Sequence, residues 1–231
     1  MLRITETIAG GGVVVSPSII AADLSTAGQT VNSMNSDIVD LIHLDVMDGH
    51  FVPNLTFGPG YIRNLSTHTS IPLDAHLMIG APENSISSYL ELNVWGVTVH
   101  YEATRFPARL LAKIREAGKH AGLAINPATP LESIFDLIFY ADKILVMSVD
   151  PGFYGQPFMK ESLKRVERLA AFALKEGHKD LLIQVDGGIN KDNIKDIVSS
   201  GARLIVAGDA VFKDGNVNDN AAFLKASAAG R

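Results

Sequence analysis

The chain has 231 residues, of which 47% are hydrophobic, with a net charge of −5 and no cysteine. That length and composition suit one globular domain with a sizeable core, and the negative balance argues against nucleic acid as a main partner. Without cysteine there is neither a disulfide framework nor a thiolate, so any metal must rest on His, Asp or Glu.

Residues 1–12 end in Gly10-Gly11-Gly12 and are read as a flexible lead. They lack the basic start and long apolar run of a secretory signal. No stretch approaches the ~20 apolar residues of a membrane-spanning helix. The expectation is a cytoplasmic protein with no membrane partner. From residue 13 onward, short β-branched runs recur: Val13–Ile20, Asp40–Val46, Ile71–Met78, Val97–His100, Ala121–Ile125, Lys143–Val149, Leu181–Val185 and Leu204–Ala207. Most are nearly continuous in Val, Ile and Leu, as in strands buried on both faces.

Helical spacing separates them. Leu24–Met34 follows Asp23 as its N-cap; Ser85–Leu92 is amphipathic; Pro107–Ile114 opens on a proline suited to a first turn. Lys160–Lys175 puts Leu163, Val166, Leu169 and Ala170 on one face, and Asn193–Ser199 is shorter. Gly96, Gly118, Gly177 and Gly201 are read as C-terminal caps. Strand alternating with helix means a parallel sheet, and eight units favour a single-domain (β/α)₈ TIM barrel over residues 13–231. An open doubly wound sheet is the alternative, weakened because no GxGxxG follows the first strand.

A barrel of this kind works at the carboxyl ends of its strands. His43 and Asp45 stand two apart on one strand and point to the same side. His76 and Asp186 end two other strands. Two imidazoles and two carboxylates suit one divalent ion such as Zn²⁺, Fe²⁺, Mn²⁺ or Co²⁺. With a polarised carbonyl in place, one carboxylate takes a proton from a neighbouring carbon and the other returns one to the opposite face, inverting that carbon. Met47, Met78 and Met147 then read equally as apolar walls of the site or as plain core.

A longer set of motifs carries a resemblance. Ser16-Pro17-Ser18-Ile19, the block from His43 to Asn54 (HLDVMDGHFVPN), His76-Leu77-Met78, Asn126-Pro127-Ala128-Thr129-Pro130, Met147 to Phe153 (MSVDPGF) and Val185-Asp186-Gly187-Gly188 resemble the ribulose-phosphate 3-epimerase family, in order from about Val15 to Phe212. The resemblance implies interconversion of D-ribulose 5-phosphate and D-xylulose 5-phosphate in the pentose phosphate pathway. It also implies metal ligands His43, Asp45, His76 and Asp186, with Asp45 and Asp186 as the acid–base pair. Substrate would meet Ser18, His76 and the three methionines. Its phosphate would meet the loop of Gly152, Phe153, Tyr154 and Gly155, and backbone at Gly187, Gly188, Gly208 and Asp209. A homo-oligomer is implied too.

Two positions depart from the family pattern. Tyr154 stands where a loop glycine is usual, and Asp209 where a serine is usual. Asp209 is expected to turn outward and cap a short helix starting near Ala210, which leaves the amides free for phosphate. Both departures keep two other substrates in view, D-allulose 6-phosphate and an unphosphorylated ketose. A catalytically silent sugar-phosphate binder is a third reading, opposed by the intact His and Asp set.

Overall fold

The computed structural model describes residues 2–229. Eight parallel strands form the sheet: β1 (Val14–Pro17), β2 (Ile42–Met47), β3 (Leu73–Met78), β4 (Gly96–His100), β5 (His120–Ile125), β6 (Lys143–Met147), β7 (Leu182–Asp186) and β8 (Leu204–Ala207). From β2 to β8 each strand pairs with its sequence neighbour, and β1 pairs with β8. A parallel bridge between Ser18 and His43 joins the β1 end to β2 and closes the ring. This is the expected TIM barrel.

Helices surround it: α1 (Leu2–Ala9), α2 (Ala27–Ser33), α3 (Pro59–Leu65), α4 (Ile86–Leu90), α5 (Pro107–Glu116), α6 (Glu161–Lys175), α7 (Ile194–Ser199), α8 (Asp209–Phe212) and α9 (Val217–Ala228). Between β5 and β6 the chain runs as a 3₁₀ helix, Leu131–Tyr140. Among the described residues, no helix is long and apolar enough to cross a membrane.

Strand periodicity sorts the side chains into two environments. On β2, Ile42, Leu44 and Val46 join the large apolar layer between sheet and helices. Leu73, Ala75 and Leu77 of β3, with Ile183 and Val185 of β7, do the same. The alternate positions, His43 and Asp45, Asp74 and His76, Thr98 and His100, Lys143, and Gln184, face the lumen and are buried there. The strands therefore look apolar as runs while carrying a polar interior.

Several expectations shift. Residues 2–9, read as part of a flexible lead, form α1. Its Ile4 packs with Val14, Leu41, Trp95 and Leu204 beneath the strands' amino ends, and burying such a side chain contributes roughly 1.5–3 kcal/mol. Asp23 does not cap a helix from Leu24. Its Oδ1 accepts from the Ser25 amide at 2.9 Å and the Ser25 hydroxyl at 2.7 Å, making a tight turn, and α2 starts only at Ala27. Gly118, Gly177 and Gly201 do sit past helix ends with positive φ. Gly96 instead opens β4, where a Cβ would stand 3.0 Å from Asp74 Oδ1 and 3.2 Å from the His120 carbonyl oxygen.

Candidate functional site

The carboxyl ends of β2, β3 and β7 meet over the lumen. Asp45 and His76 are register partners on adjacent strands, and His76 Nδ1 lies 3.0 Å from Asp45 Oδ1. His43 Nε2 is 3.4 Å from His76 Nδ1 and 3.4 Å from Asp45 Oδ1. Asp186 Oδ2 approaches His43 Nε2 at 3.8 Å and His76 Nδ1 at 3.9 Å. One donor atom from each of the four lies within 4.8 Å of the others. The Ser18 hydroxyl donates to Asp45 Oδ2 and steadies that carboxylate.

Burial makes this group electrostatically tense. Desolvation opposes the charge on His43, yet Asp45, with Asp74 and Asp186, outweighs it and pushes His43 up to about 10. Burial pushes His76 down to about 3 against the pull of Asp45, with His100 and His43 adding to the fall. Asp45 also suffers desolvation, but the His43 charge and hydrogen bonds from both imidazoles hold its carboxyl well below the usual range. Burial and the neighbouring Asp45 push Asp186 up to about 7. Two carboxylates in one buried site are driven apart in this way.

Above the group opens a cavity of about 560 Å³. Its wall includes Ser18, Asp45, Met47, Met78, Met147 and Asp186 at the inner end. Gly152, Phe153, Tyr154, Gly155, Gly187, Gly188, Gly208 and Asp209 line its outer part. His43 and His76 are fully buried below that wall. Met47, Met78 and Met147 line the cavity and also pack in small apolar clusters with Val52, Ala124 and Leu145.

The family model for the ribulose-phosphate 3 epimerase family matches residues 14–212. The chain belongs to that family. It is 43% identical over 202 residues to a ribulose-phosphate 3-epimerase of Mycobacterium bovis, covering 87% of each chain. It is 40% identical over 198 residues to the Bacillus subtilis enzyme of that name, covering 86% of this chain and 91% of the other. Among solved structures, KGPDC from Streptococcus mutans superposes with a TM-score of 0.68 at 13% identity, covering 95% of this chain and 98% of that one. Orotidine 5'-phosphate decarboxylase from Pyrococcus horikoshii gives 0.65 at 15% identity, covering 94% and 100%. At such identities these two structures bear on the barrel fold alone.

The family motifs have visible structural work to do. The Asn54 side chain donates to the Gly152 carbonyl at 2.9 Å, tying the loop after β2 to the loop after β6. The Ser148 hydroxyl lies 2.7 Å from the carbonyl oxygens of both Asp186 and Gly187, within reach to donate to either, and ties the ends of β6 and β7. Gly188 has φ +64, and a Cβ there would stand 2.4 Å from the Phe158 amide nitrogen. Only glycine fits both the conformation and the space. Gly188→Ala is expected to cost about 1–3 kcal/mol through overpacking, read as a lower urea midpoint. A wild-type midpoint would overturn that account.

At the two departures, the loop takes Tyr154 without a left-handed residue, because Gly152 and Gly155 carry the positive φ values. The Tyr154 side chain is exposed. Asp209 corrects its expectation. Helix α8 begins at Asp209 itself, Gly208 holds the N-cap place, and no side-chain cap bond forms. The Asp209 carboxylate instead leans on the glycine loop, with Oδ2 3.2 Å from where a Cβ on Gly155 would stand. Sequence reasoning missed Lys213. Among the described residues it is the one Lys or Arg on the cavity wall, and its place four residues after Asp209 across the short α8 was the available signal.

Proposed function

We propose that the chain interconverts D-ribulose 5-phosphate and D-xylulose 5-phosphate by inverting C3. The observation that carries this reading is the convergence of Asp45 and Asp186 with two imidazoles at the inner end of a cavity whose outer end is lined by glycine backbone. Asp45 and Asp186 reach in from β2 and β7, with β1 and β8 between them. One carboxylate takes the C3 proton, the electron pair moves into the C2 carbonyl, and the resulting enediolate receives a proton on its opposite face from the other. Met47, Met78 and Met147 keep water from that intermediate. Backbone at Gly155, Gly188 and Gly208 holds the phosphate.

The donor set fits a divalent cation. Two imidazole nitrogens and two carboxylate oxygens converge, and the carboxylates around His43 create a field that favours positive charge there. His43 Nε2, Asp45, His76 Nδ1 and Asp186 would hold the ion, with Zn²⁺, Fe²⁺, Mn²⁺ and Co²⁺ all suited to the mixed set. When bound, it supplies the charge that polarises the ketose carbonyl and acidifies the neighbouring C–H.

Incubation in D₂O with ribulose 5-phosphate, allulose 6-phosphate, free ribulose or free allulose tests the reading. Deuterium is expected at C3, fastest in the pentulose phosphate. Faster incorporation into any other substrate would replace ribulose 5-phosphate as the natural one, and no incorporation into any would leave a silent binder.

Asp209 sets a second test. A phosphate charge about 4 Å from an exposed carboxylate is repelled by about 1 kcal/mol in water, and a dianion by twice that. Asp209→Ser is therefore expected to lower KM for ribulose 5-phosphate by about 5- to 30-fold with little change in kcat, the effect shrinking as salt is added. An unmoved KM would place the phosphate away from Asp209.

A further inference from the structure

One layer below the candidate metal ligands, the lumen holds a second polar group that the epimerase reading does not use. Asp74 is the register partner of His43 on the neighbouring strand. Lys143, the first residue of β6, donates to Asp74 Oδ2 at 2.5 Å and to Gln184 Oε1 at 2.9 Å. The Gln184 amide donates to the same Asp74 oxygen at 3.1 Å. Asp74, Lys143, Gln184 and His43 are all fully buried. The Lys143 ammonium also stands over the Trp95 ring, 5.3 Å from its centroid.

This group points at one atom. His43 turns Nε2 toward Asp45, His76 and Asp186, and its Nδ1 faces Asp74 Oδ2 at 3.4 Å. His43 Nδ1 and Asp74 Oδ1 have no hydrogen-bond partner among the described residues. Buried polar atoms seldom stay unpaired, and a small turn of the ring brings Nδ1–H onto the carboxylate. We propose that Asp74, clamped by Lys143 and Gln184, is a positioning residue for His43. It fixes the ring's tautomer and orientation so that Nε2 is the nitrogen presented to a cation. This rests on the metal reading above.

A purely structural role is the competing explanation, and energetics disfavour it. Exchanging a buried ion pair for apolar residues of like volume is often neutral or stabilising, so packing alone does not call for Asp74 and Lys143 here. A carboxylate behind a ligating imidazole has a function of its own: it orients the ring and raises its basicity, and its loss typically costs 10–100-fold in metal affinity.

The test compares Co²⁺ binding, by chelator competition and by the visible spectrum of the bound ion, across three proteins. Asp74→Asn keeps the shape but leaves the buried Lys143 charge without a counter-charge, so it carries the risk of misfolding. The double variant Asp74→Asn with Lys143→Met removes both charges at similar volume. Val166→Ala, in the outer core on α6, is the control for lost stability alone. The proposal expects Co²⁺ affinity roughly 10–100-fold weaker and an altered spectrum in Asp74→Asn and in the double variant, with wild-type affinity and spectrum in Val166→Ala. Wild-type affinity and spectrum in the double variant would overturn the proposal and leave the metal reading intact. Failure of the wild type itself to bind Co²⁺, Zn²⁺, Mn²⁺ or Fe²⁺ would overturn both.

Discussion

Asp45→Asn and Asp186→Asn are each expected to lower kcat for epimerisation by roughly 10²–10⁴-fold, the usual worth of a positioned acid or base. Asparagine keeps the outline of the side chain and an oxygen toward its neighbours, but it cannot take up a proton at C3. The loss is also expected to be one-sided in a way that inactivation by misfolding is not. Each variant retains one working carboxylate, and that carboxylate still serves its own face of the sugar. In D₂O, one variant should wash deuterium into ribulose 5-phosphate without inverting it, and the other into xylulose 5-phosphate. Bound metal is measured alongside, because both residues belong to the candidate ligand set. Near-normal turnover in either variant, or exchange of the same epimer by both, would end the two-base mechanism.

Much of the barrel was legible because each strand keeps an apolar outer face. Ile42, Leu44 and Val46 interleave with His43, Asp45 and Met47, so β2 shows in the sequence whichever face is considered. The metal-ligand candidates were legible for a related reason. His43 and Asp45 sit two apart, and the lumen is the one place where strand ends from distant parts of the chain converge. The elements that went unread lack such a signal. Helix α3 is short and carries Gly60 and Asn64, poor helix formers, and α9 presents mixed polar and small residues rather than a clear stripe.

The layer beneath the ligands was not legible at all. Lys143 and Asp74 are 69 residues apart, and Gln184 and Asp74 are 110 apart. Nothing local marks them as partners, and Lys143 reads in sequence as the polar start of a strand. His100 closes the run Val97–His100, yet its contact with His76 exists only once β3 and β4 pair. Asp209 shows the opposite limit. The short helix was foreseen, but a boundary one residue earlier turns a capping residue into one whose carboxylate meets the glycine loop.

Loss of either imidazole is expected to exceed the effect of losing its support. His43→Ala and His76→Ala each remove a donor from the set, so cation affinity should fall by more than the roughly 100-fold upper range for an outer partner, and activity with it. The barrel should remain folded. A large-to-small change at a buried site costs about 2–5 kcal/mol against a typical stability of about 5–15 kcal/mol, and the apolar layer between sheet and helices is untouched. The two rings are backed differently. His43 Nδ1 faces the Asp74 carboxylate at 3.4 Å, whereas His76 Nε2 meets His100 Nε2 at 2.8 Å, and His100 Nδ1 lies 3.3 Å from Glu102 Oε2. A histidine between ligand and carboxylate transmits less negative charge than a carboxylate in direct contact. His43→Ala should therefore be the more damaging of the two for affinity. Equal losses would show that the backing groups set ring orientation without tuning donor strength. A variant that keeps wild-type affinity would remove that histidine from the ligand set, and full activity of chelated wild-type protein would remove the metal from the reaction.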